Sequence, residues 1–184
     1  MTGAPDIARE CSALLEAFSV KGRRSEVVPQ LMPSVLWDRG FFLEGGNDMS
    51  VEEKAIAYHD KGFNCAQSVL CSVGAYTGLD EKTALAIAAG FGGGCRCGEI
   101  CGAVSGAIMA LGICCPYIDG RDLERKEEIA AYSRTLTGFF RDTFGALRCD
   151  EIKGDKTHCP DYIRTMAHFT EKLLIERNNQ KTGE

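Results

Sequence analysis

Gly90-Phe91-Gly92-Gly93-Gly94-Cys95-Arg96-Cys97-Gly98-Glu99-Ile100-Cys101-Gly102-Ala103-Val104-Ser105-Gly106-Ala107-Ile108-Met109-Ala110-Leu111-Gly112 is the stretch from which the rest of the chain is best read. Its first half is glycine-rich, and glycine lets a backbone take left-handed turns and come close to a ligand. The N–H groups of Gly92, Gly93 and Gly94, with Cys95 and Cys97 beside them, are therefore candidates to surround a bound group. From Cys101 onward the pattern turns helical. Gly102 and Gly106 share a face with Ala103, Ala107 and Ala110 beside them, a spacing that lets a second helix pack backbone to backbone. Cys101 is thus expected in the first turn of a deeply packed helix.

Working outward, the start and stop signals are those of helices. Ser50-Val51-Glu52-Glu53 is a capping box, and its helix is expected to run to about Lys61 and stop at Gly62. Asn64 caps a helix over 65–76 whose buried stripe is Ala66, Val69, Leu70 and Val73. Asp80 caps a helix over 81–89, and another is expected over 101–113, stopped before Pro116. Asp119 and Asp122 open a long charged helix carrying Leu123, Ile129, Leu136, Phe139, Phe140 and Phe144 at helical spacing, ending near Gly145. Cys149 begins a short turn or helix that Gly154 ends. Cys159-Pro160-Asp161 opens the last helix, expected to reach about Arg177. No segment alternates as a strand should. The fold class expected is all-α, a compact helical bundle of roughly five or six principal helices with an N-terminal helical extension. That extension is expected over residues 1–49, with a short amphipathic helix over 5–18, a weaker segment over 25–37 and a loop over 38–47; a cysteine-rich helical domain is expected over 50–184.

The chain has 184 residues, enough for one domain that buries about 70% of its unfolded surface without disulfides. Its 10 cysteines fall short of the density of a disulfide-built scaffold. Residues 1–10 lack the basic start and apolar core of a signal peptide, so the expectation is a cytoplasmic protein whose thiols are reduced or metal-bound. A net charge of -5 argues against nucleic acid and anionic membrane as partners. The uncharged run from Ile100 to Ile118 is interrupted by glycines and Pro116, and reads as a buried core helix rather than a membrane insertion.

On this map Cys65, Cys101, Cys149 and Cys159 all fall at or near helix starts, where the helix dipole and unpaired N–H groups favour a thiolate. Such a sulfur can act as nucleophile or as metal ligand. The expectation is that the four starts converge.

Phe63-Asn64-Cys65-Ala66-Gln67-Ser68-Val69-Leu70, the Gly-Phe-Gly-Gly-Gly run, Cys101-Gly102-Ala103-Val104-Ser105-Gly106-Ala107, Cys149 and Cys159 together resemble the C_GCAxxG_C_C family of redox-active proteins, over about residues 50–177. The resemblance implies that Cys65, Cys101, Cys149 and Cys159 are the family's four cysteines. The chain is also similar to the non-haem domain of split-Soret cytochromes, which implies a four-cysteine iron-sulfur site and a homodimer. No Cys-x-x-Cys-His is present, so haem attachment through that motif is not expected. Cys95 and Cys97 depart from the family pattern, and as alternative ligands, a redox pair or local variation they remain open.

Other residues carry less. Cys114 and Cys115 lie about 20 Å along the helix from Cys101, too far to share its metal. With Cys11 and Cys71 they read as core or surface thiols. His158 beside Cys159 reads as solvent-facing, His59 and His168 as surface or core residues, and Glu99 as a solvated charge or the partner of Arg96. The glycine run follows no strand and lacks a phosphate loop's lysine, so nucleotide binding is not expected.

Three functions follow in order. The first is electron transfer through an iron-sulfur cluster on Cys65, Cys101, Cys149 and Cys159, with a separate electron donor or acceptor protein as partner. The second is a metal-free thiol/disulfide enzyme using the same four as redox thiols. The third is zinc as a structural staple.

Overall fold

The computed structural model describes residues 49–152, 154 and 158–182. The helix, segment and loop expected over 5–47 lie outside the described residues. The main body consists of α1 (Val51–Asp60), α2 (Cys65–Ser72), α3 (Gly74–Thr77), α4 (Glu81–Ala88), α5 (Gly102–Cys114), α6 (Leu123–Phe144), α7 (Cys149–Ile152) and α8 (Cys159–Thr182). Among the described residues there is no strand, only an isolated antiparallel bridge between Ile100 and Arg148. The protein is all-α, and none of these helices is long and apolar enough to cross a membrane.

The helix starts form because each cap is local. Glu53 N–H donates to the Ser50 hydroxyl at 3.2 Å while Ser50 N–H donates to the Glu53 carboxylate at 2.8 Å, closing the box that starts α1. Asn64 accepts from the N–H groups of Ala66 and Gln67 at 3.0 and 3.1 Å, and its own N–H donates to the Gln67 amide oxygen. Asp80 and Asp122 cap α4 and α6 through the N–H groups of Thr83 and Arg125.

Three boundaries differ from expectation. The helix expected over 65–76 breaks at Val73, with φ -97° and ψ 18°, and resumes at Gly74 as α3. Glycine lacks the side-chain contacts and backbone preference that would hold the helix straight through that point. The last helix continues past Arg177 to Thr182, because its polar tail Asn178-Asn179-Gln180-Lys181 contains no breaker although its apolar stripe has ended. Cys101, expected in the first turn of α5, sits one residue earlier as its N-cap, with extended backbone (φ -52°, ψ 131°).

α5 is the central element, packed against α2, α6 and α8, and its Ala103, Val104, Ala107, Ala110 and Leu111 are wholly buried. Its glycine face meets α2 as the spacing suggests. A Cβ on Gly106 would lie 2.5 Å from the Ala66 carbonyl oxygen, so the two backbones touch. Aromatic packing joins α6 to α8: Phe139 stacks on Phe169 at 3.8 Å between ring centroids, and Tyr162 packs edge-on against Phe140 and Phe144. One buried ion pair, Arg177 to Glu128 at 3.0 Å, closes the same interface further along.

Candidate thiol centre

α2, α5, α7 and α8 each begin at or beside one of four cysteines: Cys65, Cys149 and Cys159 are first residues, and Cys101 is an N-cap. Cys65 and Cys101 are in direct contact, the Cys101 thiol donating to the Cys65 sulfur. That hydrogen bond, helped by the N–H groups of Gly93, Ala66 and Cys65 itself, outweighs burial and lowers the Cys65 pKa to about 6. Cys101 is held protonated by the same contact, by burial and by the negative charge of Cys65. The pair therefore shares one proton, with the charge on Cys65.

Cys149 arrives through the short bridge. Cys101 N–H donates to the Leu147 carbonyl at 2.9 Å and Cys149 N–H to the Glu99 carbonyl at 2.6 Å. Because side chains alternate along extended backbone, Cys101 and Cys149 both fall on the face opposite Ile100 and Arg148. Diagonal neighbours of this kind lie about 7 Å apart in a regular ladder. Cys159 completes the group. The hydroxyl of Tyr162, which donates to the Ile152 carbonyl at 2.7 Å, has its pKa raised by burial and then by the charges of Cys159, Cys101 and Cys149 around it. The four sulfurs thus lie at one end of the bundle. Among the described residues no three of them have all their sulfurs within 4.8 Å of one another, and none of the nine described cysteines is in a disulfide.

The glycine stretch forms one wall. Gly92 leaves no room for a side chain against Asn64, nor does Gly94 against Glu99 and Cys149, where a Cβ would lie 2.9 Å from the Cys149 Cβ. From Gly93 to Arg96 the backbone is left-handed, at φ 63° for both glycines, 54° for Cys95 and 63° for Arg96. Holding two non-glycine residues there costs on the order of 1–2 kcal/mol each. The turn is closed by Glu99 N–H and the Cys97 thiol, both donating to the Gly94 carbonyl, and by Arg96 donating to the Ala89 carbonyl. Cys95 and Cys97 are exposed on this turn, and Gly93 rather than either of them touches the Cys65 sulfur.

Several other residues fall differently from their sequence reading. Glu99 pairs with Arg148 through both carboxylate oxygens at 2.8 Å, not with Arg96. Arg148 also reaches Asp150 at 2.7 Å, pinning the glycine turn to α7 from outside. Nothing local to Glu99 announces a partner 49 residues away. Tyr162 and Arg148 have no motif signature, although Tyr162 lies three residues after a helix-start cysteine and so one turn along the same face. His158 is exposed, as expected. Cys71 and Cys115 are buried core thiols whose pKa values burial pushes up to about 12, and Cys114 is half-buried, its thiol donating to the Tyr76 carbonyl.

The donor set fits a thiolate-bound metal group in kind: four cysteines at helix starts, with backbone N–H groups aimed at one sulfur and a side-chain-free wall beside them. Fold and site together define an all-α protein with a multi-thiol centre. The family described as "Putative redox-active protein (C_GCAxxG_C_C)" matches residues 63–173, and the chain belongs to that family. No curated protein and no solved structure matches it.

Proposed function

We propose that Cys65, Cys101, Cys149 and Cys159 hold an iron-sulfur cluster and that the protein transfers electrons to or from a partner protein. The observation that carries this reading is four cysteines at four helix starts, with Cys65 paired to Cys101 and the charges of Cys159, Cys101 and Cys149 all acting on Tyr162. A polynuclear cluster takes its protein ligands from cysteine thiolates, and these four residues can supply such a set. When bound, such a cluster supplies a one-electron couple. The chain's own residues would tune it: Gly93 and Ala66 N–H groups donate toward the Cys65 sulfur, which raises the potential, and the walls of α5 and Tyr162 keep water out.

A second reading rests on the proton shared by Cys65 and Cys101. The Cys65 thiolate attacks a small disulfide, forming a mixed disulfide and expelling one thiolate. Cys101 then loses its proton and attacks the Cys65 sulfur, expelling the second thiolate and leaving a Cys65–Cys101 disulfide, so that the substrate gains the two electrons the protein loses.

Anaerobic purification with iron, sulfide and zinc analysis and a visible spectrum separates these. Iron with matching sulfide, and an absorption bleached by dithionite and lost in Cys149→Ser and Cys159→Ser, is the expected result. A colourless, metal-free protein that needs only Cys65 and Cys101 to reduce a disulfide would establish the second reading instead.

A further inference from the structure

We propose that Glu52, His168 and Glu171 form a second metal site, for a first-row divalent cation, independent of the thiol centre. Glu52 comes from the first turn of α1, and His168 and Glu171 lie one turn apart on the same face of α8. One ligand atom from each lies within 4.8 Å of the others. A divalent ion bonded at about 2.0–2.2 Å to nitrogen and oxygen needs its ligand atoms roughly 3–3.5 Å apart. The ion would take the place of the direct contact between His168 and Glu52.

A third element positions the carboxylate. Tyr76, on α3, donates its hydroxyl to Glu171 Oε1 at 2.7 Å, leaving the other oxygen to bind. Hydrogen-bonded support of this kind is what orients metal-binding carboxylates. Nδ1 of His168 faces Glu52 Oε1 directly. Two carboxylates and one imidazole carry net negative charge, which a dication neutralises. The His168 side chain is 46% exposed and that of Glu52 24%, so an ion can enter from water. Three protein ligands leave a position for a water molecule.

The site is separate in place and in chemistry. His168 lies nine residues beyond Cys159, about 14 Å along α8. Its nitrogen and oxygen donors suit borderline and hard ions such as Zn²⁺, Co²⁺ or Mn²⁺, whereas soft ions and clusters favour the thiols. An ion here would staple the start of α1 to the middle of α8.

Anaerobic cobalt titration of the full-length protein tests this. The expected result is one equivalent of Co²⁺ with visible d–d absorption and no sulfur-to-cobalt charge-transfer band, retained in the Cys65→Ser/Cys101→Ser variant. His168→Ala and Glu171→Gln should abolish it while leaving the helical circular dichroism intact. Tyr76→Phe should weaken it about 10-fold or more, as loss of a supporting hydrogen bond does. Unchanged titration in Glu171→Gln, cobalt bound only with the sulfur band, or no binding at all, which would leave Glu52 and His168 a plain ion pair, would each overturn the proposal. None of these outcomes bears on the iron-sulfur reading, whose test is the iron and sulfide content.

Discussion

A Cβ on Gly102 would lie 2.4 Å from the Sγ of Cys65, so the first residue of α5 and the first residue of α2 meet through a sulfur that fills the space a side chain would take. The same Cβ would lie 2.8 Å from the Phe91 carbonyl oxygen. Helix packing and thiol placement are therefore one constraint: the closeness that buries α5 is what sets Cys65 against Cys101.

Gly102→Ala should consequently do two things together. Overpacking against backbone and sulfur is expected to cost about 1–3 kcal/mol in urea denaturation, and the displaced Cys65 should lose its contact with the Cys101 thiol. Gly112→Ala in the same helix meets nothing within 4 Å and should be neutral or stabilising by about 0.4–1 kcal/mol, with the thiols unaffected. Equal effects from the two substitutions would show that contact with Cys65 is not the constraint.

The Cys65–Cys101 contact has its own signature in reactivity. Alkylation of Cys65 in metal-free protein should rise with pH to half its maximum near pH 6, where its thiol titrates. Cys101→Ala removes the largest cause of the lowered value and should move the midpoint upward. Cys101→Ser keeps a donor in place and should restore most of the shift. An alkylation profile that is the same in all three proteins would mean that the neighbouring thiol plays no part.

Thiol titration also shapes stability. Cys65 favours its thiolate in the folded state, so its contribution is complete above the ordinary thiol value of 9.0 and is lost as pH falls through about 6. Buried Cys71 and Cys115 act the other way, contributing below 9.0 and losing that contribution as pH rises toward about 12. Denaturant midpoints of the metal-free protein should therefore rise from pH 6 to near 9 and fall beyond it. Cys65→Ser should flatten the acid side alone, which a series of urea curves reads directly.

What could be read from sequence was what depends on near neighbours. Ser50, Asn64 and Asp80 declare helix starts because each cap is satisfied within three residues. The glycine spacing of α5 declares a close helix contact, since only a missing side chain permits it. Pairing of Glu99 with Cys149 and of Cys101 with Leu147 was not legible, because two hydrogen bonds between segments separated by two whole helices leave no periodic trace. Nor was the left-handed conformation of Cys95 and Arg96, which their residue types oppose and which the surrounding turn imposes. The gathering of Cys149 with Cys101 depends on these silent features, so helix-start position could mark the cysteines but not their arrangement.

Asn64 offers the sharpest test of how the cap and the centre are linked. Its oxygen caps α2, and its Nδ2 donates to the Ala89 carbonyl at 3.0 Å, tying the start of α2 to the turn that leads into the glycine wall. Asn64→Ala removes both functions and should cost about 1–2 kcal/mol from the cap alone. Asn64→Ser keeps a capping oxygen and loses the side-chain ties to the Ala88 and Ala89 carbonyls. It should fold with nearly native stability, yet free the glycine turn, weaken the Gly93 N–H contact and raise the midpoint of Cys65 alkylation. If Asn64→Ser alkylates with the wild-type pH profile, the tie does not govern the sulfur, and the Gly93 donor is held by the contacts within the turn itself.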